Sequence, residues 1–436
     1  MRNIFREIWE DKRGNSLIIA GAALPLLLGS AGLATDTIQW ALWKRELQRA
    51  ADSAAIAGVY DRQAAKGGTS NTLAAVNKDL TLNQQTGMTL EAGYPVVTFP
   101  ADSGSNRNQV NVELAVKRPL SFSAMFMDSA PLIRATARAA AVGSTGEFCV
   151  LSLQNNSKTG IQATGNAVIN MDCGMMTNST AINAAAGQGS SQVIATTLAA
   201  AGGIQQSSNW QVQTYQPYSP PLEDPYADLE PDSSDTSTCP NNPPNLTINN
   251  SNDGLIVNGG ACYGSLSINS NRSLTLQNGT YFIHGGGVNV QGTLNLINAT
   301  LVLSNKDLAA TSATIGSLTM NASGQINATA PTTGKWSGMA IYQDRRATDN
   351  SPTGNISANS PNVINGNSTN KITGVVYFPN QQLTYNGTGT GSATCTQFVA
   401  KRIYWSGNSG INNFTKNCVM KGMTAITAPL KVRLVA

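Results

Sequence analysis

The chain has 436 residues, of which 12% are charged, and its formal net charge is +4. This length allows two or three domains, each with its own core. A charge this small, without a dense Lys/Arg cluster beyond the first 13 residues, excludes nucleic acid as an expected partner. The abundance of Gly, Asn, Ser and Thr in the second half indicates many tight turns, which is not typical of a helical enzyme.

The first predicted element is a transmembrane helix at residues 14–35, a run without any charged residue. Its 22 residues would span roughly 33 Å at about 1.5 Å per residue, enough to cross a bilayer. The basic leader at residues 1–13 indicates a cytoplasmic N-terminus, so the chain from residue 36 onward would be exported. A cleaved secretory signal ending near Gly32-Leu33-Ala34 is the alternative, although the run exceeds the usual apolar length of such signals.

Residues 36–143 have the pattern of a small α+β region. A helix is expected from Trp40 to Ala65 and a second from Ser70 to Gln85, and a short helix from Phe122 to Met127. Strand-like runs occupy three ranges: Val96–Phe99, Gln109–Val116 and Ile133–Val142. Small apolar residues recur on one face of the first helix, at Leu47, Ala50, Ala51, Ala54 and Ala57.

From Cys149 onward, short apolar alternations such as Leu266-Ser267-Ile268 and Leu294-Asn295-Leu296 are separated by Asn, Gly and Ser. Each alternation would bury one face of a short strand. Their regular interval, with few two-residue Asn-Gly turns, favours a parallel β-helix over a sandwich of hairpins. We predict its first part at residues 149–204 and its main part at 246–436, so the fold class is mainly β.

The six cysteines predict three disulfides. In sequence order they are separated by 24, 23 and 23 residues, as expected for one repeat length used three times. Equivalent positions on successive coils of a β-helix lie about 4.8 Å apart, within the roughly 4.4–6.8 Å between Cα atoms that a disulfide tolerates. An exported chain would also let them oxidise. The predicted pairs are Cys149–Cys173, Cys239–Cys262 and Cys395–Cys418.

A proline-rich, acidic segment at residues 205–245 interrupts the strand pattern. Eight prolines lie between Pro217 and Pro244, which predicts an extended conformation without helix. Two interpretations remain: a linker, or a loop packed along the coils. The tyrosines Tyr215, Tyr218 and Tyr226 favour packing.

The N-terminal region resembles the TadE/TadG-like proteins of tight-adherence (Flp) pilus assembly. The resemblance rests on Gly14, Pro25 and Asp36, and above all on the stretch from Leu47 to Gly58. In that stretch the matching positions include Leu47, Gln48, Ala50, Ala51, Asp52, Ala54 and Ala55. Weaker matches to TadG-related proteins occur downstream at 224–229, 278–283, 330–334, 342–346, 364–368 and 376–380.

The resemblance implies a single-pass protein of the bacterial inner membrane, with the bulk of the chain periplasmic or surface-exposed. It implies a non-enzymatic role in pilus assembly or adhesion, with other pilus assembly proteins as partners and a pseudopilin-like α+β region. It carries no catalytic, cofactor or metal residues. One departure is that Ile19 stands fifth after Gly14, where type IV prepilins have Glu, so standard prepilin processing is not expected.

The alternative function is an envelope protein that binds or cleaves polysaccharide. Cleavage needs two carboxyl groups facing one cleft, and the candidates from residue 245 onward are few, with Asp344 and Asp349 the closest pair. An ion pair with the neighbouring Arg345 and Arg346 is the expected role for them. Surface glycans would need exposed aromatic side chains, for which the candidates are Trp336, Tyr342, Tyr385, Tyr404 and Trp405, although burial between the coils is the commoner fate of such residues.

Two further residue types have structural explanations. His284 is the only histidine, so multi-histidine metal sites are excluded and a turn or strand end is expected for it. Asparagines near strand ends, such as Asn269 and Asn271, predict ladders of side-chain amides along the stacked coils.

Overall fold

The computed structural model describes residues 15–83, 89–104, 106–142, 147–237, 239–310, 313–349, 351, 353–366, 370–387, 390–392, 395–407, 410–412, 422–427 and 430–435. The chain divides into two compact units. Unit 1 is Met1–Ser144 with Leu430–Ala436, and unit 2 is Thr145–Pro429.

Unit 1 is built on one long helix, α1 (Asn15–Ala64), followed by α2 (Thr72–Asn83). Strands β1 (Val96–Thr98), β2 (Asn106–Lys117) and β3 (Leu132–Val142) form an antiparallel sheet, with the 3-10 helix Ser123–Met125 between the last two. These elements follow the predicted order. The alternation of β3, in which Ile133, Ala135 and Ala137 are buried and the residues between them exposed, gives the sheet one apolar face for the helix.

Unit 2 is almost entirely β. Its first strands are β4 (Glu147–Ser152), β5 (Ile161–Ala163), β6 (Val168–Asn170), β7 (Gly174–Thr177), β8 (Ala185–Gly187), β9 (Gln192–Ala200) and β10 (Trp210–Gln216). After the short helix α3 (Ser233–Thr236) come β11 (Leu246–Ile248), β12 (Leu255–Asn258), β13 (Ala261–Tyr263), β14 (Leu266–Ile268), β15 (Ser273–His284), β16 (Val288–Val290), β17 (Thr293–Ser304), β18 (Leu318–Met320), β19 (Gln325–Thr329), β20 (Met339–Gln343), β21 (Val363–Gly366), β22 (Lys371–Gly387), β23 (Thr390–Ser392), β24 (Cys395–Ser406), β25 (Gly410–Asn412) and β26 (Ile426–Thr427).

Strands of unit 2 pair mainly in parallel with partners further along the chain. One ladder runs β12–β15–β17–β19–β22, and another runs β11–β14–β16–β18–β21. The register places Leu274 beside Leu294 and Leu294 beside Ile326, all three fully buried. Like residues therefore stack on like residues, and the alternation in the sequence becomes columns of apolar side chains in the core.

The spatial order of the stack differs from the order of the sequence. Strand β24 pairs with β4 and β5, and β25 pairs with β6. The segment containing β4 to β10 therefore continues the stack beyond β24 and β25, at the opposite end from β11. Sequence reasoning gave the two parts of the β region but not this order, because strand alternation does not encode the pairing partner.

The last strand, β27 (Lys431–Leu434), leaves unit 2 and pairs antiparallel with β3, which completes the sheet of unit 1 in the order β1-β2-β3-β27. The sequence-based division assigned residues 246–436 to the main β region. The structure instead places residues 430–435 in unit 1, because the exposed edge of β3 offers backbone groups with which β27 forms hydrogen bonds. Unit 2 is thus an insertion between β3 and β27.

Candidate functional site

The residues that carry the family resemblance lie on the face of α1 that covers the sheet of unit 1. Leu47, Ala51, Ala54 and Ala55 are all fully buried in one core with residues of β2 and β3. Gly58 continues this face, and a Cβ atom there would lie 2.9 Å from Cγ1 of Val110 on β2. Small side chains are required because the helix lies too close to the sheet for larger ones.

The polar members of the same stretch bind the sheet edge. The amide of Gln48 donates hydrogen bonds to the main-chain oxygen of Thr136 and to the carboxylate of Asp52, both at 2.9 Å. Half-buried Ala50 lines a cavity of about 470 Å³ between α1, α2 and the loop before β1. Gln48 therefore links the helix to β3, Asp52 orients Gln48, and Ala50 leaves part of the motif accessible.

Asp36 is almost completely buried although it directly follows the uncharged run. Its carboxylate accepts hydrogen bonds from the backbone N–H groups of Phe122 at 2.8 Å and Ser123 at 2.6 Å, and from the hydroxyl of Ser123. The negative charge thus lies at the start of the 3-10 helix, where free N–H groups favour an anion. Pro25 is exposed within α1, and Gly14 lies outside the described residues.

The proline-rich segment is packed along unit 2, as the second of the two interpretations expects. We call residues 217–237 the strap. Its contacts follow the order of the stack from β7 through β24 and β22 to β20: Leu222 with Asn178, Tyr226 with Gln397, Asp224 with Tyr377, Leu229 with Tyr342, and Asp235 with Trp336 just before β20. The strap is the return path that joins β10, at one end of the stack, to β11 at the other.

An ion pair fixes the middle of the strap. Asp224 accepts from Arg345 Nη1 at 2.8 Å and from the Tyr377 hydroxyl at 2.7 Å, while the guanidinium of Arg345 lies 5.2 Å from the ring centroid of Tyr377. Tyr377 stacks on Tyr342, with 5.2 Å between ring centroids. Burial raises the pKa of both tyrosines, so their hydroxyls stay protonated and act as donors.

Two disulfides join described residues of unit 2, and they are the first two of the predicted pairs. Cys149–Cys173 joins successive turns of the stack, with 5.8 Å between Cα atoms. Cys239–Cys262 joins the end of the proline-rich segment to β13, with 5.2 Å between Cα atoms. Cys395 is also disulfide-bonded, and Cys418 lies outside the described residues.

The aromatic candidates for glycan contact are mostly inside the protein. Trp405 and Tyr385 belong to the core between the coils, and Tyr342 and Trp336 lie beneath the strap. Tyr404 is partly exposed. Aromatic side chains that are covered in this way contribute to packing and offer no platform for a sugar ring.

The acidic candidates are engaged in ion pairs. Asp344 is bound by Arg346 and Ser304, and Asp349 by Arg402 and Lys401. Burial raises the pKa of Asp349, but the hydrogen bonds from Arg402 and Lys401 outweigh it and bring the pKa to about 2. The pKa of Asp344 is also lowered, because hydrogen bonds from Arg346 and Ser304 outweigh its burial. A general acid needs a raised pKa, so neither carboxyl suits that role.

His284 ends β15, and its Nδ1 accepts a hydrogen bond from the backbone N–H of Lys306 at 3.0 Å. Burial, with the charge of Lys306, lowers the pKa of this imidazole. In the part of the chain that the structure describes, no group of three or more His, Cys, Asp or Glu side chains is arranged to hold a metal ion.

Asparagine ladders run along the stack, although at other positions than Asn269 and Asn271. Asn298 donates to Asn278 at 3.1 Å, and Asn278 donates to Asn258 at 3.0 Å. Asn278 and Asn298 both have a positive φ of 51°, a conformation that asparagine tolerates better than most residues. The ladder therefore stabilises a bend that recurs within β15 and β17.

Residues 14–65 match a family model described as "Putative Flp pilus-assembly TadE/G-like". The resemblance to TadE/G-like proteins is confirmed for this segment. The matched residues are α1, with the motif face and the buried Asp36. Neither curated proteins nor solved structures gave a match to the chain.

Sequence reasoning did not find three of the residues that organise these contacts. Ser123, which binds Asp36, and Arg345 and Tyr377, which bind Asp224, are distant in sequence from their partners. The only local signal was an acid just after an apolar run, which indicates that a partner is needed without naming it.

Proposed function

We propose that this chain is a membrane-anchored, non-enzymatic component of Flp-type pilus assembly or surface adhesion. The observation that carries the proposal is the coincidence of the TadE/G-like match with α1. From Ile19, α1 is also long and apolar enough to cross a membrane. A single helix thus provides both the family signal and a means of anchoring, which supports a role related to pilus assembly.

The proposed location is the bacterial inner membrane, with the leader in the cytoplasm and the rest of the chain periplasmic or surface-exposed. Three observations support this: the basic leader, the exposed apolar surface of α1 from Ile19 to Leu33, and the disulfides of unit 2. Positive charge favours the cytoplasmic side, and disulfides persist in oxidising compartments. Other pilus assembly proteins are the proposed partners.

We further propose that unit 2 is a disulfide-stapled parallel β-helix, and that unit 1 is a pseudopilin-like domain. Parallel ladders with like residues in register and asparagines stacked at a repeated bend support the first assignment. A long N-terminal helix covering a small antiparallel sheet supports the second. Unit 2 would then be the larger exported part of a membrane-anchored protein.

A deletion strain tests the function. Loss of the gene should reduce fibres seen by electron microscopy and attachment to a surface, and the intact chain should restore both. Normal fibres and normal attachment in the deletion strain would contradict the proposal.

Complementation with Asp344→Asn and Asp349→Asn separates the non-enzymatic role from the polysaccharide-cleaving alternative. Both variants should restore fibres if the carboxylates serve only in the ion pairs and hydrogen bonds described above. If either variant is present at the normal level yet restores nothing, and the purified wild-type protein degrades envelope polysaccharide, the enzymatic alternative is favoured instead.

A further inference from the structure

The loop between β2 and β3 of unit 1 carries an apolar tip. Met125, Phe126 and Met127 are 75%, 73% and 48% exposed, an unusual cluster for a surface in water. The tip is held against α1: the ring of Phe122 packs on Gly32, where a Cβ atom would lie 2.3 Å from it. Phe126 in turn contacts Phe122, with 5.3 Å between ring centroids.

The contacts between this loop and α1 descend toward the uncharged run. Arg118 lies over the ring of Trp43, Ser121 binds Gln39, and Phe122 and Ser123 bind Asp36. The last contact, at Gly32, is inside the run that ends at Thr35. At about 1.5 Å per residue, Gly32 lies roughly 6 Å nearer the N-terminal end of α1 than Asp36. The tip therefore lies beside the last turns of the helix segment that would be in lipid.

The backbone of the loop is suited to an environment without water. Every N–H from Ser121 to Met127 donates a hydrogen bond inside unit 1: the first to Gln39, the next two to Asp36, and the last four to carbonyls of Leu120, Phe122 and Ser123. Unpaired backbone groups are costly in lipid, so non-helical segments reach it only when such groups are satisfied. A loop in water has no such requirement.

We propose that the tip at Met125–Met127 is a wedge that inserts into the outer interface of the bilayer beside α1. The inference rests on the proposed membrane anchor. Aromatic and apolar side chains gain free energy at the boundary of headgroups and acyl chains, while Asp128, exposed directly after the tip, limits the depth to that boundary. The buried carboxylate of Asp36 fixes the loop at this level and with it the height of unit 1 above the membrane.

The test measures the depth of the tip in the full-length protein. A small fluorescent amino acid is introduced by codon suppression at Met125, or as the matched control at Leu82 of α2, since both are 75% exposed. The control is remote from the bilayer: neighbouring Asn83 binds Ser53 of α1, 18 residues past Thr35, or roughly 27 Å along the helix. Each protein is reconstituted into vesicles of phosphatidylethanolamine and phosphatidylglycerol.

The expected result is several-fold stronger quenching at position 125 than at 82 by a nitroxide on the upper acyl chain, with the reverse order for aqueous iodide. Equal access of iodide to both positions in protein that floats with the vesicles would overturn the wedge and leave the anchor intact. Protection of position 125 from both quenchers would overturn it in favour of a contact with a second copy of the chain. Protein that does not float with vesicles would overturn the proposed anchor, and the wedge with it.

Discussion

In unit 1 one long helix packs on a small antiparallel sheet, whereas in unit 2 each strand pairs through backbone hydrogen bonds with the next strand of the stack. The helix needs particular small residues at particular positions, because a larger side chain at Ala51 or Gly58 would collide with the sheet. The stack needs only alternation and turns, which many sequences satisfy. The family match lies on α1, the element with the stricter requirement for particular residues.

The two units also differ in what closes them. Unit 1 is closed by β27, which returns after the whole of unit 2 and pairs with β3. Unit 2 is closed by the strap and by covalent bonds that tie its turns together. Four perturbations test this difference, because each is expected to destabilise one unit and not the other, or to release the strap.

Chemical reduction should have the largest effect, and only on unit 2, because all six cysteines lie between residues 145 and 429. The Cys239–Cys262 bond closes a segment of 23 residues, and loop entropy assigns such a bridge about 3 kcal/mol of unfolding free energy. Hydrogen exchange of the full-length protein in detergent, with and without reductant, measures the loss in each unit. The paired variants C149S/C173S and C239S/C262S assign it to individual bonds. Loss of protection in α2 or β2 on reduction would contradict the separation of the units.

Ala51→Leu should affect unit 1 alone. Ala51 is fully buried between α1 and the sheet, and added methylene groups in a filled core cost about 1–3 kcal/mol of unfolding free energy. Ala41→Leu is the matched control, since Ala41 is exposed on the same helix. Hydrogen exchange of β2 and β3 measures both variants. Equal effects of the two substitutions would show that close packing of the helix is not what holds unit 1.

Sequence reasoning recovered the features that depend on neighbours in sequence. The spacing of Leu47, Ala51 and Ala54 gave the buried face of α1, and the alternation at Leu266 and Ile268 gave β14. Cysteine spacing gave the Cys149–Cys173 bond because that bond joins consecutive turns of the stack. The second bond, Cys239–Cys262, followed the same interval although Cys239 lies just beyond the strap, outside any strand.

The features that were missed depend on partners far apart in the chain. The pairing of β24 with β4 spans most of unit 2, and the pairing of β27 with β3 spans all of it. The pattern of a strand shows which face is buried but carries no information about which edge it meets. Burial was the expected fate of Trp336 and Tyr342, but the segment that covers them was missed for the same reason, since the strap reaches them only after crossing part of the stack.

Asp224→Asn should loosen the strap. The substitution removes the charge that Arg345 pairs with and keeps an acceptor for Tyr377, so we expect a loss of about 1–2 kcal/mol. Limited proteolysis within residues 217–237 should accelerate, by about tenfold for each 1.4 kcal/mol of local opening. Asp228→Asn is the control, because Asp228 is an exposed acid of the same segment. Unchanged cleavage in Asp224→Asn would mean that the aromatic contacts alone hold the strap.

Lowering the pH should produce the smallest of these effects, a modest loss in the free energy of unfolding of unit 2. The pKa of Asp349 is about 2 in the folded protein, against about 3.9 for an unfolded aspartate. A lowered pKa stabilises the fold at pH values above that of the unfolded group, and this contribution is lost as the pH falls from about 4 to about 2. Because Asp349 is partly exposed, we expect on the order of 1 kcal/mol. Urea unfolding of unit 2 should therefore show a descending acid limb that is shallower in Asp349→Asn. An identical limb in that variant would assign the acid sensitivity to Asp344 or to the other carboxylates of unit 2.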